Sequence, residues 1–138
     1  MEDVMIKISV LWIFAAVVMV VHYAMLFFEP DVLKKMLSEE MTPATKHANV
    51  RLAIVEVFAD WLIPLTMAFL SVTLVGLANR YLNMVLGGLY ILLSIFHIAK
   101  CPVVHISNKP SVHQLLICIS TVVVAALIFW YAWSWQIS

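Results

Sequence analysis

The chain has 138 residues, of which 64% are hydrophobic and 12% charged, and its mean hydropathy is +1.04. A soluble domain carries roughly 25% charged residues, so this composition excludes an ordinary soluble globule. Eight Lys and Arg balance eight Asp and Glu, which leaves no basic field for a phosphate backbone and argues against nucleic-acid binding. The expected partners are therefore the lipid bilayer, protein or a small-molecule ligand.

The first apolar segment covers residues 8–28 and is interrupted by Ser9 and His22. Its length matches the ~20 residues that a helix needs to cross a bilayer. The residues ahead of it include the acidic Glu2 and Asp3. Because a cleavable signal peptide begins with cations instead, we expect this first span to be retained.

The connector at residues 29–51 contains a segment with an amphipathic pattern. Its apolar side chains fall on one helical face, opposite the charged ones: Val32, Leu33, Met36 and Leu37. This pattern is typical of a helix that lies in the membrane interface. We therefore expect a short interfacial helix between the first and second spans.

Three more apolar runs follow, at residues 52–77, 81–99 and 112–133. The connector at residues 78–80 is so short that spans two and three are expected to form a tight antiparallel hairpin. Pro102 and Pro110 lie in the next connector, after span three and before span four. Ser111 and Gln114 have the spacing of a capping box, which predicts that span four begins directly after Ser111.

These runs predict an all-α integral membrane four-helix bundle with up-down topology and a single domain over residues 1–138. Only helices or a closed barrel satisfy every backbone group in hydrocarbon, and runs of this length exclude the shorter alternating strands of a barrel. An even number of spans places both termini on one side, with Lys7 and Arg80. The opposite side carries the other cations: Lys34, Lys35, Lys46, Arg51, Lys100 and Lys109. The positive-inside rule therefore predicts that the two longer connectors lie in the cytoplasm and that both termini lie outside, together with residues 78–80.

Aromatic side chains lie near the ends of spans one and four on the terminus side: Trp12, Trp130, Tyr131, Trp133 and Trp135. Indole and phenol rings favour the headgroup region of a bilayer. We interpret these residues as an interfacial belt and assign them no chemistry.

Glu56 and Asp60 are the two charged residues inside the predicted spans, where a charge costs at least ~2.5 kcal/mol on insertion scales. Because they are four residues apart, they lie one turn from each other on the same helix face. Pro64 continues that face and has no N–H, which frees a backbone carbonyl one turn earlier. We expect both carboxyls to face the interior of the bundle.

His22 of span one and His97 of span three are predicted at similar depth, within about 10 Å of the cytoplasmic side. Together with Glu56 and Asp60 they predict a polar pocket that opens toward the cytoplasm. Carboxyls and histidines inside a membrane are typical of proton and ion sites. Our leading hypothesis is a pocket that binds or conducts protons or a small polar or cationic ligand. A slender bundle has little interior volume, so a transport path would form more naturally between the subunits of a homo-oligomer such as a dimer.

Two alternative hypotheses start from these residues. In the first, the two carboxyls and the two histidines bind iron, manganese or zinc, or the two histidines are the axial ligands of a haem. The protein would then be a membrane-embedded oxidoreductase. No EXXH, HEXXH or histidine-box spacing accompanies them, so the sequence assigns no cofactor and leaves open whether the protein is an enzyme. In the second alternative the carboxyls bond neighbours such as Asn49, Trp61 or Thr66 and serve only helix association.

A family resemblance is carried by the stretch PLTMAFLS from Pro64, by ANR from Ala78, by Asn83 and Gly87, and by WYAWSW from Trp130. These residues resemble the pattern of a family of small four-span prokaryotic membrane proteins known as a domain of unknown function. The resemblance covers roughly spans two to four and implies a multi-pass protein of the prokaryotic inner membrane. It implies no activity and no site residues. More loosely, the size and span number are similar to those of DoxX-like proteins.

Overall fold

A computed structural model describes residues 3–28, 43–100 and 112–136. Inside the helices, the side chains of residues 26–27, 43–54, 56–57, 97–100 and 112–114 are not described. Within these ranges the chain forms four helices: α1 (Asp3–Phe27), α2 (Pro43–Thr73), α3 (Gly76–Lys100) and α4 (Val112–Ser134). The prediction of an all-α fold is therefore confirmed for the part of the chain that the structure describes.

Helix α2 begins at Pro43, inside the predicted first connector, rather than at residue 52. Proline is favoured in the first turn of a helix, and Ala44 and Ala48 favour helix. The polar residues before position 52 therefore end the apolar run without ending the helix, and the beginning of the membrane span at residue 52 stays a prediction. The expected interfacial helix and the capping residue Ser111 lie outside the described residues.

The turn between α2 and α3 lies earlier than predicted. α2 ends at Thr73 and α3 begins at Gly76, so residues 78–80 belong to a helix rather than to the connector. Gly76 has a φ of +70°, a left-handed conformation that glycine adopts without steric cost. The prediction took the polarity of residues 78–80 as the sign of a loop, whereas the side chain of Asn79 is fully buried.

Helices α1 and α4 each pack against two neighbours. α1 packs along α2 and α4, and α4 also packs along α3. α2 and α3 contact each other much less, although a short turn joins them. The prediction of a tight antiparallel hairpin was therefore wrong. The connection between α2 and α3 is short, but the two helices do not pack closely along each other.

The outward faces of the four helices are largely apolar. Among the described residues, two stretches are long and apolar enough to cross a membrane, Asp3–Met25 and Leu115–Ser134, and a shorter apolar stretch covers Phe58–Thr73. Large apolar side chains are exposed on every helix, among them Val10, Phe14, Phe58, Leu62, Phe69, Val85, Leu92, Phe96, Leu116, Ile119 and Val123.

The tryptophans divide into a buried and an exposed group. Trp12 is 0% exposed and lies in the core, edge-on to the ring of Tyr90 with their centroids 5.5 Å apart. Trp135 is buried as well, whereas Trp130 and Trp133 are well exposed. The interpretation of Trp12 as an interfacial anchor was therefore wrong, because the bundle closes over this ring.

Gly87 allows α3 and α4 to approach closely. A Cβ added at Gly87 would lie 3.2 Å from Cγ2 of Ile128 and 3.3 Å from the backbone nitrogen of Phe129. At the adjacent Gly88 an added Cβ would meet the Phe129 ring at 3.7 Å, an ordinary van der Waals distance. The close approach expected of this glycine pair therefore depends on Gly87.

We predict opposite effects for alanine at these two glycines. Gly87→Ala should destabilise the protein by about 1–3 kcal/mol, because the added methyl overpacks the contact with the α4 backbone. Gly88→Ala is the matched control and should stabilise it by roughly 0.5–1 kcal/mol, since alanine favours helix over glycine. Thermal unfolding in detergent, followed by circular dichroism, measures both. Equal stability of the two variants would contradict the close approach at Gly87.

Candidate functional site

A pocket lies between the four helices, and each of them contributes to its wall. Its lining residues are Met19 and His22 from α1, Asp60 from α2, Tyr90 and Ser94 from α3, and Ile117, Cys118 and Thr121 from α4. We call this the central pocket. The space open to the centre of a water molecule is ≈ 10 Å³, which corresponds to about one water.

Asp60 is the acidic residue of the central pocket. Its side chain is half-buried, and its Oδ2 accepts a hydrogen bond of 2.6 Å from the hydroxyl of Tyr23 on α1. Pro64 lies one turn further along α2, is fully buried and has no N–H to donate to the backbone carbonyl of Asp60. Asp60 therefore contributes two acceptors at the pocket: its carboxyl, and a backbone carbonyl that receives no hydrogen bond from the residue four positions later.

His22 places an imidazole in the same pocket. Its side chain is 1% exposed, and its ring lies edge-on to that of Tyr23, with the centroids 5.7 Å apart. α1 therefore supplies two adjacent aromatic residues with different roles. Tyr23 binds the carboxyl of Asp60, and His22 lines the cavity.

Tyr90 brings a phenol into the pocket from α3. It is 2% exposed, and its ring packs against Trp12 in the core. Among the described residues its buried hydroxyl has no hydrogen-bond partner. A buried hydroxyl in this condition is unusual, because folded proteins satisfy most of their buried polar groups.

Ser94 and Thr121 add hydroxyl groups to the wall. The Ser94 hydroxyl donates to the backbone carbonyl of Tyr90 at 2.8 Å, and the Thr121 hydroxyl donates to that of Ile117 at 3.0 Å. Because each donates its proton within its own helix, what remains on both oxygens is the capacity to accept a hydrogen bond. Both residues therefore add acceptor oxygens to the pocket wall.

The four predicted site residues divide into two groups. Asp60 and His22 line the central pocket together, whereas the side chains of Glu56 and His97 are not described. Within residues 3–28, 43–100 and 112–136, no group of three or more His, Cys, Asp or Glu side chains could hold a metal ion. The metal and haem hypotheses involve the two side chains that are not described, and they stay predictions.

Several polar residues at the site carry neither a charge nor an imidazole, and the sequence did not predict them. Tyr90, Ser94, Cys118 and Thr121 line the pocket, and Tyr23 binds the carboxyl of Asp60. In α3 a sequence pattern could have indicated the inward-facing polar residues. Polar residues and one glycine recur there at steps of three or four, and all of them are buried. These are Asn79, Asn83, Gly87, Tyr90 and Ser94.

A second group of polar side chains lies toward the turn between α2 and α3. The Nε1 of Trp12 donates to the Oδ1 of Asn83 at 2.7 Å, and the hydroxyl of Ser71 donates to the same oxygen at 3.0 Å. The amide nitrogen of Asn83 donates to the backbone and side-chain oxygens of Asn79. We call Trp12, Ser71, Asn79 and Asn83 the amide network.

The amide network also closes the end of α2. The Nδ2 of Asn79 donates to the backbone carbonyls of Ser71 and Leu74, each at 2.8 Å. Both donors and the oxygen of each asparagine amide are therefore engaged. Because its amides are satisfied internally, we interpret the network as a structural connection of α1, α2 and α3.

Arg80 has a comparable role at the end of α4. Its Nε donates to the carbonyl of Ala132 at 3.2 Å, and its Nη2 donates to that of Trp133 at 3.0 Å. The last carbonyls of a helix have no partner within the helix, and cations near them are favourable. The guanidinium therefore joins the beginning of α3 to the end of α4.

Replacing Asn83 should test the amide network. We predict that Asn83→Leu lowers the free energy of unfolding by about 1–3 kcal/mol, because two buried donors then lose their acceptor. Thermal unfolding in detergent measures the change. Ser134→Ala is the control, since that exposed hydroxyl bonds only carbonyls of its own helix, and it should change stability little. A wild-type stability for Asn83→Leu would show that the network is dispensable.

Comparisons with protein-family models, with curated proteins and with solved structures found no match to this chain.

Proposed function

We propose that this protein is a four-span membrane protein whose central pocket binds protons at Asp60. The single observation that carries the proposal is the pocket itself: a carboxyl and an imidazole meet there between apolar helices. The architecture proposed is an up-down bundle in which α1 to α4 are the four spans. Membership of the four-span family that the sequence resembles is part of this proposal.

The apolar outer faces of the helices support membrane insertion. A soluble monomer rarely exposes large contiguous apolar surface, yet large apolar side chains are exposed on each helix here. The buried faces carry the hydrogen-bonded polar groups instead. This distribution suits a protein whose outer surface is in contact with lipid.

The position of the pocket along the helices supports access from the cytoplasm. His22 lies toward the end of α1, and Cys118 toward the beginning of α4. In the topology predicted from the cations these are the cytoplasmic halves of the helices. The central pocket would thus lie in the cytoplasmic half of the membrane, and the amide network in the outer half.

The size of the pocket favours a proton over a larger ligand. Its ≈ 10 Å³ of space for water is too small for an organic molecule, since ligand pockets have about 300–1,000 Å³ in total. A carboxyl inside a membrane-spanning segment is typical of proton sites. Tyr23 can donate its hydrogen bond to either form of the carboxyl.

We predict that Asp60→Asn makes the stability of the protein less dependent on pH. If the fold prefers the neutral carboxyl, the stability that Asp60 contributes is present at low pH and is lost as the pH rises through its titration. One proton gives a slope of at most about 1.4 kcal/mol per pH unit. Asparagine resembles the neutral acid and should remove this slope while keeping the contact with Tyr23. Thermal unfolding in detergent over a pH series measures it.

Asp3→Asn is the matched control for this experiment. Asp3 is exposed and forms an ion pair with Lys7 on the surface of α1. Exposed ion pairs contribute little to stability, so Asp3→Asn should leave the pH profile close to that of the wild type. If Asp60→Asn leaves the pH profile as in the wild type, Asp60 is a packing contact and the proposal fails.

The proposed orientation predicts that both termini lie outside the cytoplasm. A reporter active only outside the cytoplasm, fused after Gln136, should be active, whereas one inserted in the connector at residues 101–111 should be inactive. The physical reason is the larger number of cations in the connectors. The opposite pattern would reverse the orientation and place the central pocket in the outer half of the membrane.

A further inference from the structure

We propose that the central pocket holds one structural water molecule that accepts the hydrogen bond of the Tyr90 hydroxyl and bridges it to the carboxyl of Asp60. This inference deepens the proposed function and rests on it for its functional meaning. The ligand is water, held by groups from at least two helices. The proton-binding unit would then be a carboxyl together with its water.

The Tyr90 hydroxyl is the first reason. It is buried and, within the part of the chain that the structure describes, it has no partner. A buried donor without an acceptor costs free energy. Buried polar groups in folded proteins are nearly always hydrogen-bonded, to protein or to ordered water. A bound water would give the Tyr90 hydroxyl the acceptor that it needs.

The size and polarity of the space are the second reason. The cavity of ≈ 10 Å³ fits about one water, and a buried water requires two to four polar partners, or about three on average. Asp60 offers acceptor oxygens, while Ser94 and Thr121 keep lone pairs because their protons are donated within their helices. With the Tyr90 hydroxyl as donor, the pocket provides a full set of partners.

The titratable groups around this water come from all four helices. They are His22 and Tyr23 from α1, Asp60 from α2, Tyr90 from α3 and Cys118 from α4. Tyr23 binds the carboxyl from one side, and the proposed water would bind it from the pocket. A change in the protonation of Asp60 should therefore change the hydrogen bonding of the water.

The test is infrared difference spectroscopy of the wild-type protein in phosphatidylcholine bilayers, recorded between acidic and basic pH in D₂O and in D₂¹⁸O. We expect a carboxylic C=O band at acidic pH and an O–D stretching band that shifts to lower frequency with ¹⁸O. Tyr90→Phe should lose the ¹⁸O-sensitive band, because phenylalanine keeps the packing against Trp12 but cannot bind water. Tyr81→Phe, which changes an exposed tyrosine of the same helix, should keep it.

The outcomes separate the two proposals. A pH-dependent C=O band that Asp60→Asn removes, without any ¹⁸O-sensitive band, would overturn the bound water and leave the proton site standing. If Asp60→Asn removes no part of the C=O band, the proton site is overturned. An ¹⁸O-sensitive band that persists in Tyr90→Phe would place the water elsewhere. If Tyr90→Phe does not fold, Ser94→Ala should shift the band, and an unshifted band would contradict the proposal.

Discussion

The hydrogen bonding of Asn83 is the interaction on which the arrangement of α1, α2 and α3 depends. Its oxygen accepts from Trp12 of α1 and Ser71 of α2, and its nitrogen donates to Asn79, which in turn closes the end of α2. An apolar surrounding makes each of these groups costly to leave unpaired. Three helices are therefore fixed relative to one another at the end of the molecule where α2 and α3 meet.

The central pocket is a consequence of how the helices continue from that point. α2 and α3 make little contact beyond their turn, whereas α1 and α4 pack extensively and Gly87 draws α3 onto α4. The four helices therefore do not fill the interior uniformly. A small space remains between the four helices, and its lining includes Asp60 of α2 and Tyr90 of α3.

The sequence predicted the helical class, because the length of apolar runs is visible in composition. Asp60 and His22, which the sequence proposed for the site, both line the central pocket, while their role stays a prediction. The sequence did not predict the amide network. Asn79 and Arg80 look like loop residues when polarity alone is considered, but both lie in α3, and their side chains bind backbone carbonyls of α2 and α4. Trp12 was misplaced for the same reason, since its acceptor Asn83 is 71 residues away. Long-range partners of neutral polar residues leave no local pattern.

The two polar groups of the molecule differ in a way that bears on function. In the amide network each asparagine donor and acceptor is engaged by the protein itself, so adding or removing a proton has no role there. The central pocket combines an ionisable carboxyl with an imidazole, and Pro64 leaves the backbone at Asp60 without its usual helical donor. The satisfied network holds α1, α2 and α3 in place and contains no ionisable side chain, whereas the ionisable side chains of Asp60 and His22 line the central pocket.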